Sequence, residues 1–222
     1  GGKIFIQLWH VGRLSHPDFL DGKLPLAPSA LEMDYMARTP GGPKKAPTPK
    51  EMTTEDIKNV VEEFRIGAKN AMEAGFDGVE IHASNGYLLH QFFAPCTNVR
   101  TDEYGGSFEN RSRILFEVID AIKTVMPENR IGVRLNPSYH GDHAMELTED
   151  TIPTFDYLVN KLNEYELSYL HLSEPGSKAK SSAFAETNIA GRYRKIYNGT
   201  LMINRGFTYE SGNEIIGNGN AD

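Results

Sequence analysis

The chain has 222 residues, 39% of them hydrophobic, with 21 glycines and 12 prolines, enough apolar content for one large domain or two small ones. A formal charge of -7 argues against nucleic acid or an anionic membrane as a partner. No apolar run approaches the ~20 residues needed to span a bilayer, and one cysteine, Cys96, permits neither an internal disulfide nor a cysteine-ligated cluster.

Taken in chain order, strand-like and helix-like patterns alternate. Residues 4–9 (IFIQLW) read as a strand and are followed by a long Pro- and Gly-rich segment at about 10–52. Pro40, Pro43, Pro47 and Pro49, with Gly41 and Gly42, argue against regular structure there. A connection of that length is usually functional, such as a lid over a site. A helix is predicted at 54–74, opened by a capping-box-like Thr53 and Asp56 and closed by Gly75, with Ile57, Val60, Val61, Phe64 and Ala68 in one stripe. Four more pairs follow: strand 78–82 with helices at 86–94 and 108–126, the latter capped by Ser107; strand 131–136 with helix 149–164; strand 169–173 with helix 184–197; and strand 200–204 with helix 209–217. Such alternation implies βαβ units and a parallel sheet.

Side chains alternate across each strand. Ile4, Ile6 and Leu8 oppose Phe5, Gln7 and Trp9; Val79 and Ile81 oppose Glu80 and His82; Val133 and Leu135 oppose Arg134 and Asn136. Leu170 and Leu172 oppose His171 and Ser173, and Leu201 and Ile203 oppose Met202 and Asn204. A doubly wound sheet, covered on both faces, gives strands that are apolar throughout. One greasy face and one that turns polar toward the strand's C-terminal end fits a (β/α)8 TIM barrel, whose site lies at those ends. Gln7, His82, Arg134, Ser173 and Asn204 are then expected to converge on one mouth. An inward arginine needs an anion or several acceptors; Arg134 either pairs with Glu80 or faces an electron-rich ligand. His82, Asn85 and Tyr87 cluster at the end of the second of these strands, a grouping of hydrogen-bonding heads that indicates a polar ligand site. His140, Asp142, His143 and Glu146 could be drawn as a metal cluster, but their place on one loop favours a polar lid segment, and no metal is expected.

The segment His82-Ala83-Ser84-Asn85-Gly86-Tyr87-Leu88-Leu89-His90-Gln91-Phe92-Phe93, the run from Asn98 to Arg111, and Gln7-Leu8-Trp9-His10-Val11-Gly12-Arg13 together resemble the Old Yellow Enzyme family, in the form of N-ethylmaleimide reductases and 12-oxophytodienoate reductases. Arg134-Leu135-Asn136-Pro137 is similar to the family's Arg-x-Ser-Pro, with asparagine in place of serine. The resemblance implies an FMN-containing barrel that takes hydride from NADPH and reduces the activated C=C bond of α,β-unsaturated carbonyl or nitro compounds. It also implies roles. Gln7 and Arg134 would bind the flavin's pyrimidine side; the backbone of Arg205 and Gly206, where many relatives have Gly-Gly, would bind its phosphate. His82 and Asn85 would bind the substrate oxygen, and Tyr87 would protonate the α-carbon. Trp9 either lines the substrate pocket or fills the barrel core. The Arg100 to Arg111 run is read as loop and helix-cap structure.

The chain corresponds to about the third to seventh barrel strands, a single partial FMN-binding domain over residues 1–222, and is expected to be the middle of a longer protein. An arginine expected after the eighth strand has no counterpart, and the rival reading is a truncated, non-catalytic barrel fragment or interaction subunit without FMN. Cys96 is expected to be a small packed side chain. Expected partners are a small-molecule substrate and neither nucleic acid nor membrane; the location is expected to be cytoplasmic, and monomer and dimer both stay open.

Overall fold

In the computed structural model, which describes residues 1–222, the elements run in chain order as follows. Strand β1 (Phe5–Leu8) leads into a long excursion holding the short strands β2 (Leu26–Ala27), β3 (Met36–Thr39), β4 (Gly42–Lys45) and β5 (Lys50–Glu51). Helix α1 (Thr54–Glu73), strand β6 (Gly78–His82), helices α2 (Leu88–Phe93) and α3 (Phe108–Lys123), strand β7 (Ile131–Arg134) and helix α4 (Thr151–Lys161) follow. Strand β8 (Tyr169–Ser173), the short helices α5 (Ser177–Lys180) and α6 (Ile189–Tyr193), strand β9 (Leu201–Asn204) and helix α7 (Tyr209–Gly217) complete the chain.

Five strands form one parallel sheet in the order β1-β6-β7-β8-β9, each beside the next in sequence. This is an arc of a (β/α)8 barrel with helices outside. The outward side chains Val79, Ile81, Ile131, Val133, Leu170, Leu172 and Leu201 are all fully buried against them. Helix α1 presents Ile57, Val60, Phe64, Ala68 and Ala71 at three- and four-residue spacing, so a single stripe is buried. Its start is a complete capping box between Thr53 and Asp56, as the sequence suggests. Ser107 caps α3 through the Asn110 N–H.

The inner face is built in levels by the register. Phe5 is opposite Gly78; Gln7, Glu80, Gly132 and Tyr169 share the next level; His82, Arg134, His171 and Met202 share the one above; Ser173 and Asn204 lie nearest the mouth. Two glycines make the lowest levels possible. A Cβ on Gly78 would lie 2.3 Å from the Phe5 ring, and one on Gly132 would lie 2.4 Å from the Tyr169 ring. The rings of Phe5 and Tyr169 come to 5.5 Å of each other and floor the arc.

Four expectations need correction. The segment at 10–52 is not devoid of regular structure: β3 and β4 form an antiparallel hairpin, and β2 pairs with β5. Pro43 is tolerated because a two-stranded ribbon leaves open edges where a missing N–H costs nothing, and Gly42, at φ +97°, completes the turn. The helix expected at 184–197 is reduced to Ile189–Tyr193. Its N-terminus is held by Asn188 and by the distant Glu174 carboxylate, which accepts from the N–H groups of Ile189 and Ala190 at 3.3 and 3.1 Å. The helix expected at 86–94 begins only at Leu88, leaving Tyr87 in extended conformation at its N-cap. Cys96 is half-buried rather than packed in the core, with its Sγ 3.9 Å from the Glu146 carbonyl oxygen. No helix is long and apolar enough to cross a membrane.

The excursion is pinned near its middle and at its C-terminal end by one buried guanidinium. Arg100 donates to the carbonyls of Pro28 and Met52 at 2.9 and 2.6 Å and to Asp102 at 2.9 and 2.5 Å.

Substituting Gly132→Ala should cost about 1–3 kcal/mol, because the new methyl has only the Tyr169 ring to displace. Gly212→Ala, in α7 with nothing near its Cβ position, should be neutral or slightly stabilising. Urea unfolding midpoints of the two variants check the contrast.

Candidate active site

The strand ends and their loops enclose a depression of about 400 Å³ lined by Asn85, Tyr87, Arg134, Asn136, Tyr139, His143, Ser173, Asn204 and Arg205. The turn that places Asn85 is tightly specified. Asn85 and Gly86 both adopt positive φ, +57° and +78°, a conformation asparagine and glycine tolerate best. Buried His90 accepts from the Gly86 N–H at 3.1 Å, and buried Gln91 donates to the Gly86 carbonyl at 2.7 Å. Gln91 also accepts from the Arg13 N–H at 3.2 Å, which couples this turn to the loop after β1. The Asn85 Oδ1 accepts from Asn136 Nδ2 at 2.8 Å, so its NH2 is left facing the depression. Tyr87, half-buried, meets Trp9 and His82 edge-on and tilted at 4.6 and 5.3 Å between ring centres.

Arg134 does not pair with Glu80. Glu80 is engaged instead by His171 Nδ1 at 2.9 Å and Gln7 Nε2 at 2.5 Å. Arg134 makes no ion pair, and its buried Nε has no partner; the buried Nδ1 of His82 also has none. A buried donor left unsatisfied costs about 1–3 kcal/mol, and both atoms belong to the level just below the mouth. The structure therefore holds a cation and a donor ready for an electron-rich ligand.

Gln7 lies one level deeper than expected, below His82 and Arg134, and is exposed on the edge strand β1. Trp9 is 52% exposed at the rim, so it does not fill the core. It lines a second, larger cavity of about 830 Å³ under the loop after β1. Arg205 and Gly206 take φ of +87° and +78° directly after β9, and neither N–H meets an acceptor within the protein. For Arg205 this backbone costs of order 1–2 kcal/mol. Its guanidinium lies against Gly176, where a Cβ would come within 2.3 Å of Nη2. His140, Asp142, His143 and Glu146 are parcelled out: His140 faces Glu146 at 3.4 Å, Asp142 holds Lys178 at 2.5 Å, and His143 meets the Tyr139 hydroxyl at 2.8 Å. Tyr139 and His143 thus join the site, although no local pattern marks Tyr139 in the sequence.

Burial pulls the His82 imidazole down to about 4, assisted by the Arg134 charge, so it is neutral at pH 7 and has one N–H to donate. Burial, with Tyr35 nearby, raises the Tyr87 phenol above its ordinary value, so it keeps its proton.

A family model described as NADH:flavin oxidoreductase / NADH oxidase matches residues 1–222. The chain belongs to this family. It is 37% identical to 12-oxophytodienoate reductase 2 of Arabidopsis thaliana and to 12-oxophytodienoate reductase 1 of Oryza sativa subsp. japonica, covering 100% of this chain in both cases. It spans 59% and 57% of those relatives' lengths. Among solved structures it superposes on the Old Yellow Enzyme homologue of Zymomonas mobilis with a TM-score of 0.90 at 32% identity, covering 100% of this chain and 62% of that one. It superposes on morphinone reductase in complex with tetrahydroNAD with a TM-score of 0.88 at 34% identity, covering 100% and 61%. The family expected from the motifs and the partial barrel are both borne out, and membership implies FMN as the cofactor. The orphaned donors of Arg134 and His82 and the free N–H groups of Arg205 and Gly206 fit such an electron-rich, phosphate-bearing group.

The His82 shift has a sign that can be tested. Its folded value lies below the unfolded 6.5, so the unfolded chain binds the proton more readily between about 4 and 6.5. The contribution is fully present above pH 6.5 and is lost as pH falls through about 4. Urea unfolding at pH 7 and pH 4.5 should show wild type losing more stability than His82→Gln, and equal losses would refute the neutral imidazole.

Proposed function

We propose that the protein is an FMN-dependent ene-reductase that uses NADPH to reduce the activated C=C bond of α,β-unsaturated carbonyl or nitro compounds. The observation that carries this reading is the unpaired Arg134 cation set beside uncharged donors at one strand-end depression. In this reading Arg134 and Gln7 hold the pyrimidine side of FMN, and the N–H groups of Arg205 and Gly206 hold its phosphate. Bound FMN supplies the hydride.

The rest of the chemistry falls to the protein's own side chains. His82 and Asn85 each donate to the carbonyl or nitro oxygen of the substrate. That oxygen gains negative charge as the β-carbon is attacked, so donors placed there favour the transition state over the ground state. Asn136 supports this by occupying the Asn85 Oδ1 and leaving the NH2 free. Tyr87, kept protonated by burial, gives its proton to the α-carbon. Trp9 packs against Tyr87 and shields one side of it from water.

Purified full-length protein should be yellow, and anaerobic NADPH should bleach its flavin absorbance faster than NADH does. A colourless protein that cannot be reconstituted with FMN would favour the non-catalytic barrel fragment. Tyr87→Phe should leave flavin reduction intact and slow enone turnover by about 10²-fold or more; loss of flavin reduction would remove Tyr87 from the acid role. Asn85→Ala should weaken binding of a phenol, read as a charge-transfer band, by about tenfold. An unchanged titration would refute the oxygen-binding role.

A further inference from the structure

We propose that Glu80, braced by His171, is a positioning residue that fixes which way the Gln7 amide faces. The inference rests on the flavin reading of Gln7 and extends it to two residues that never reach the mouth. Glu80 is buried at 8% exposure in the level of Gln7, Gly132 and Tyr169. One of its oxygens accepts from Gln7 Nε2 at 2.5 Å and the other meets His171 Nδ1 at 2.9 Å. Gly132 has no side chain to part the strands, so β8's Tyr169 and His171 can reach across β7 to Glu80.

The direction follows from hydrogen-bond inventory. An amide side chain can turn through half a revolution with almost no change in shape, exchanging its oxygen for its nitrogen. Beside a neutral partner with both donor and acceptor the two states are nearly equal. Beside an ionised carboxylate they are not, because that group only accepts. Burial alone would lift the Glu80 carboxyl, but His171, Gln7 and Tyr169 together hold it below the usual range, so it is ionised at neutral pH. Turning the Gln7 oxygen toward it would set two acceptors face to face. Gln7 is therefore locked with Nε2 toward Glu80, and its Oε1 and second N–H are presented in fixed order. An imide edge, with C=O and N–H groups alternating as in the pyrimidine half of a flavin, reads that order.

His171 supplies the brace. Its ring is tethered to the second oxygen, which restrains the carboxylate that Gln7 donates to. Arg134 does not compete for the carboxylate, so the guanidinium stays available above.

The test is a double-mutant cycle on FMN affinity, measured by quenching of flavin fluorescence on titration into the apoprotein. Glu80→Gln keeps volume and a hydrogen bond but offers both donor and acceptor, so Gln7 can face either way. It should weaken FMN binding about tenfold in the wild-type background and by less than about twofold in the Gln7→Ala background. Equal losses in both backgrounds would overturn the proposal, since a merely structural role would cost the same in each. If Glu80→Gln fails to fold, Glu80→Met, of similar length and without an acceptor, should give the same non-additive pattern. Side-chain amide NMR of the apoprotein separates this inference from the flavin reading. Wild type should show one ordered Gln7 Nε2H2 pair that broadens or moves in either Glu80 variant, whether or not FMN binds. Unchanged Gln7 signals would end the proposal even in a yellow protein, and a colourless protein with shifted signals would end the flavin reading alone.

Discussion

The site depends on one geometric constraint, the two-residue alternation of side chains along parallel strands. Because β1, β6, β7, β8 and β9 pair in register, one alternate set of their residues is forced inward together and the other outward. The outward set is uniformly apolar, fully buried beneath the helices on β6, β7 and β8 and partly buried on the two edge strands, which disfavours a slip by one residue. A slip would bring Arg134, Glu80 and His82 under the helices, at a cost of several kcal/mol for each unpaired charge. The apolar face thus fixes the register, and the register delivers the polar face to the mouth. Gly78 and Gly132 complete the arrangement, since any larger side chain there would expel the aromatic floor on which the polar levels rest.

A second layer of control lies in the turn after β6. Asn85 and Gly86 hold backbone conformations that few residues accept, and the strain is contained by His90 and Gln91 from the first turns of α2. Those two side chains point back at the turn that precedes them, as helical side chains at an N-terminus do. His90 is fully enclosed, and burial takes its imidazole down to about 3, so it accepts from Gly86 as a neutral ring. The sequence from His82 to Gln91 therefore contains both the presented groups and the scaffold that aims them. Gln91 further reaches Arg13 and Val11, so the loops after β1 and β6 are tied together.

That internal completeness explains what could be read from the sequence. Strand alternation, the Thr53–Asp56 and Ser107 helix starts, and the grouping of His82, Asn85 and Tyr87 are all local, and all appear in the structure. What could not be read is long-range. Glu80 and His171 are 91 positions apart, and only the strand register makes them neighbours, so nothing local points from Glu80 to His171. Glu174 supplies acceptors to the start of α6 from across a loop, and no pattern around residues 184–197 reveals that the helix is so short. The hairpin of β3 and β4 was hidden for a different reason. Its prolines and glycines are breakers in a broad sheet but are tolerated in a ribbon with two free edges.

The two amides of the site show how such distant contacts translate into chemistry. Gln7 and Asn85 are each held from behind by one partner, and the partners differ in kind. Glu80 is a carboxylate and dictates a single orientation. Asn136 is itself an amide, and its own Oδ1 is buried without a partner, so by itself it could hold Asn85 in either sense. The direction at Asn85 is then set by what it faces. An oxygen that gathers charge selects the NH2-forward state, while a donor would select the reverse. The Asn136 side chain reaches further toward Asn85 than a shorter hydroxyl side chain would. It couples the Asn85 amide to the strand end just above Arg134. A rigid amide below and a switchable one above suit a site in which one ligand stays in place while the other is exchanged at every cycle.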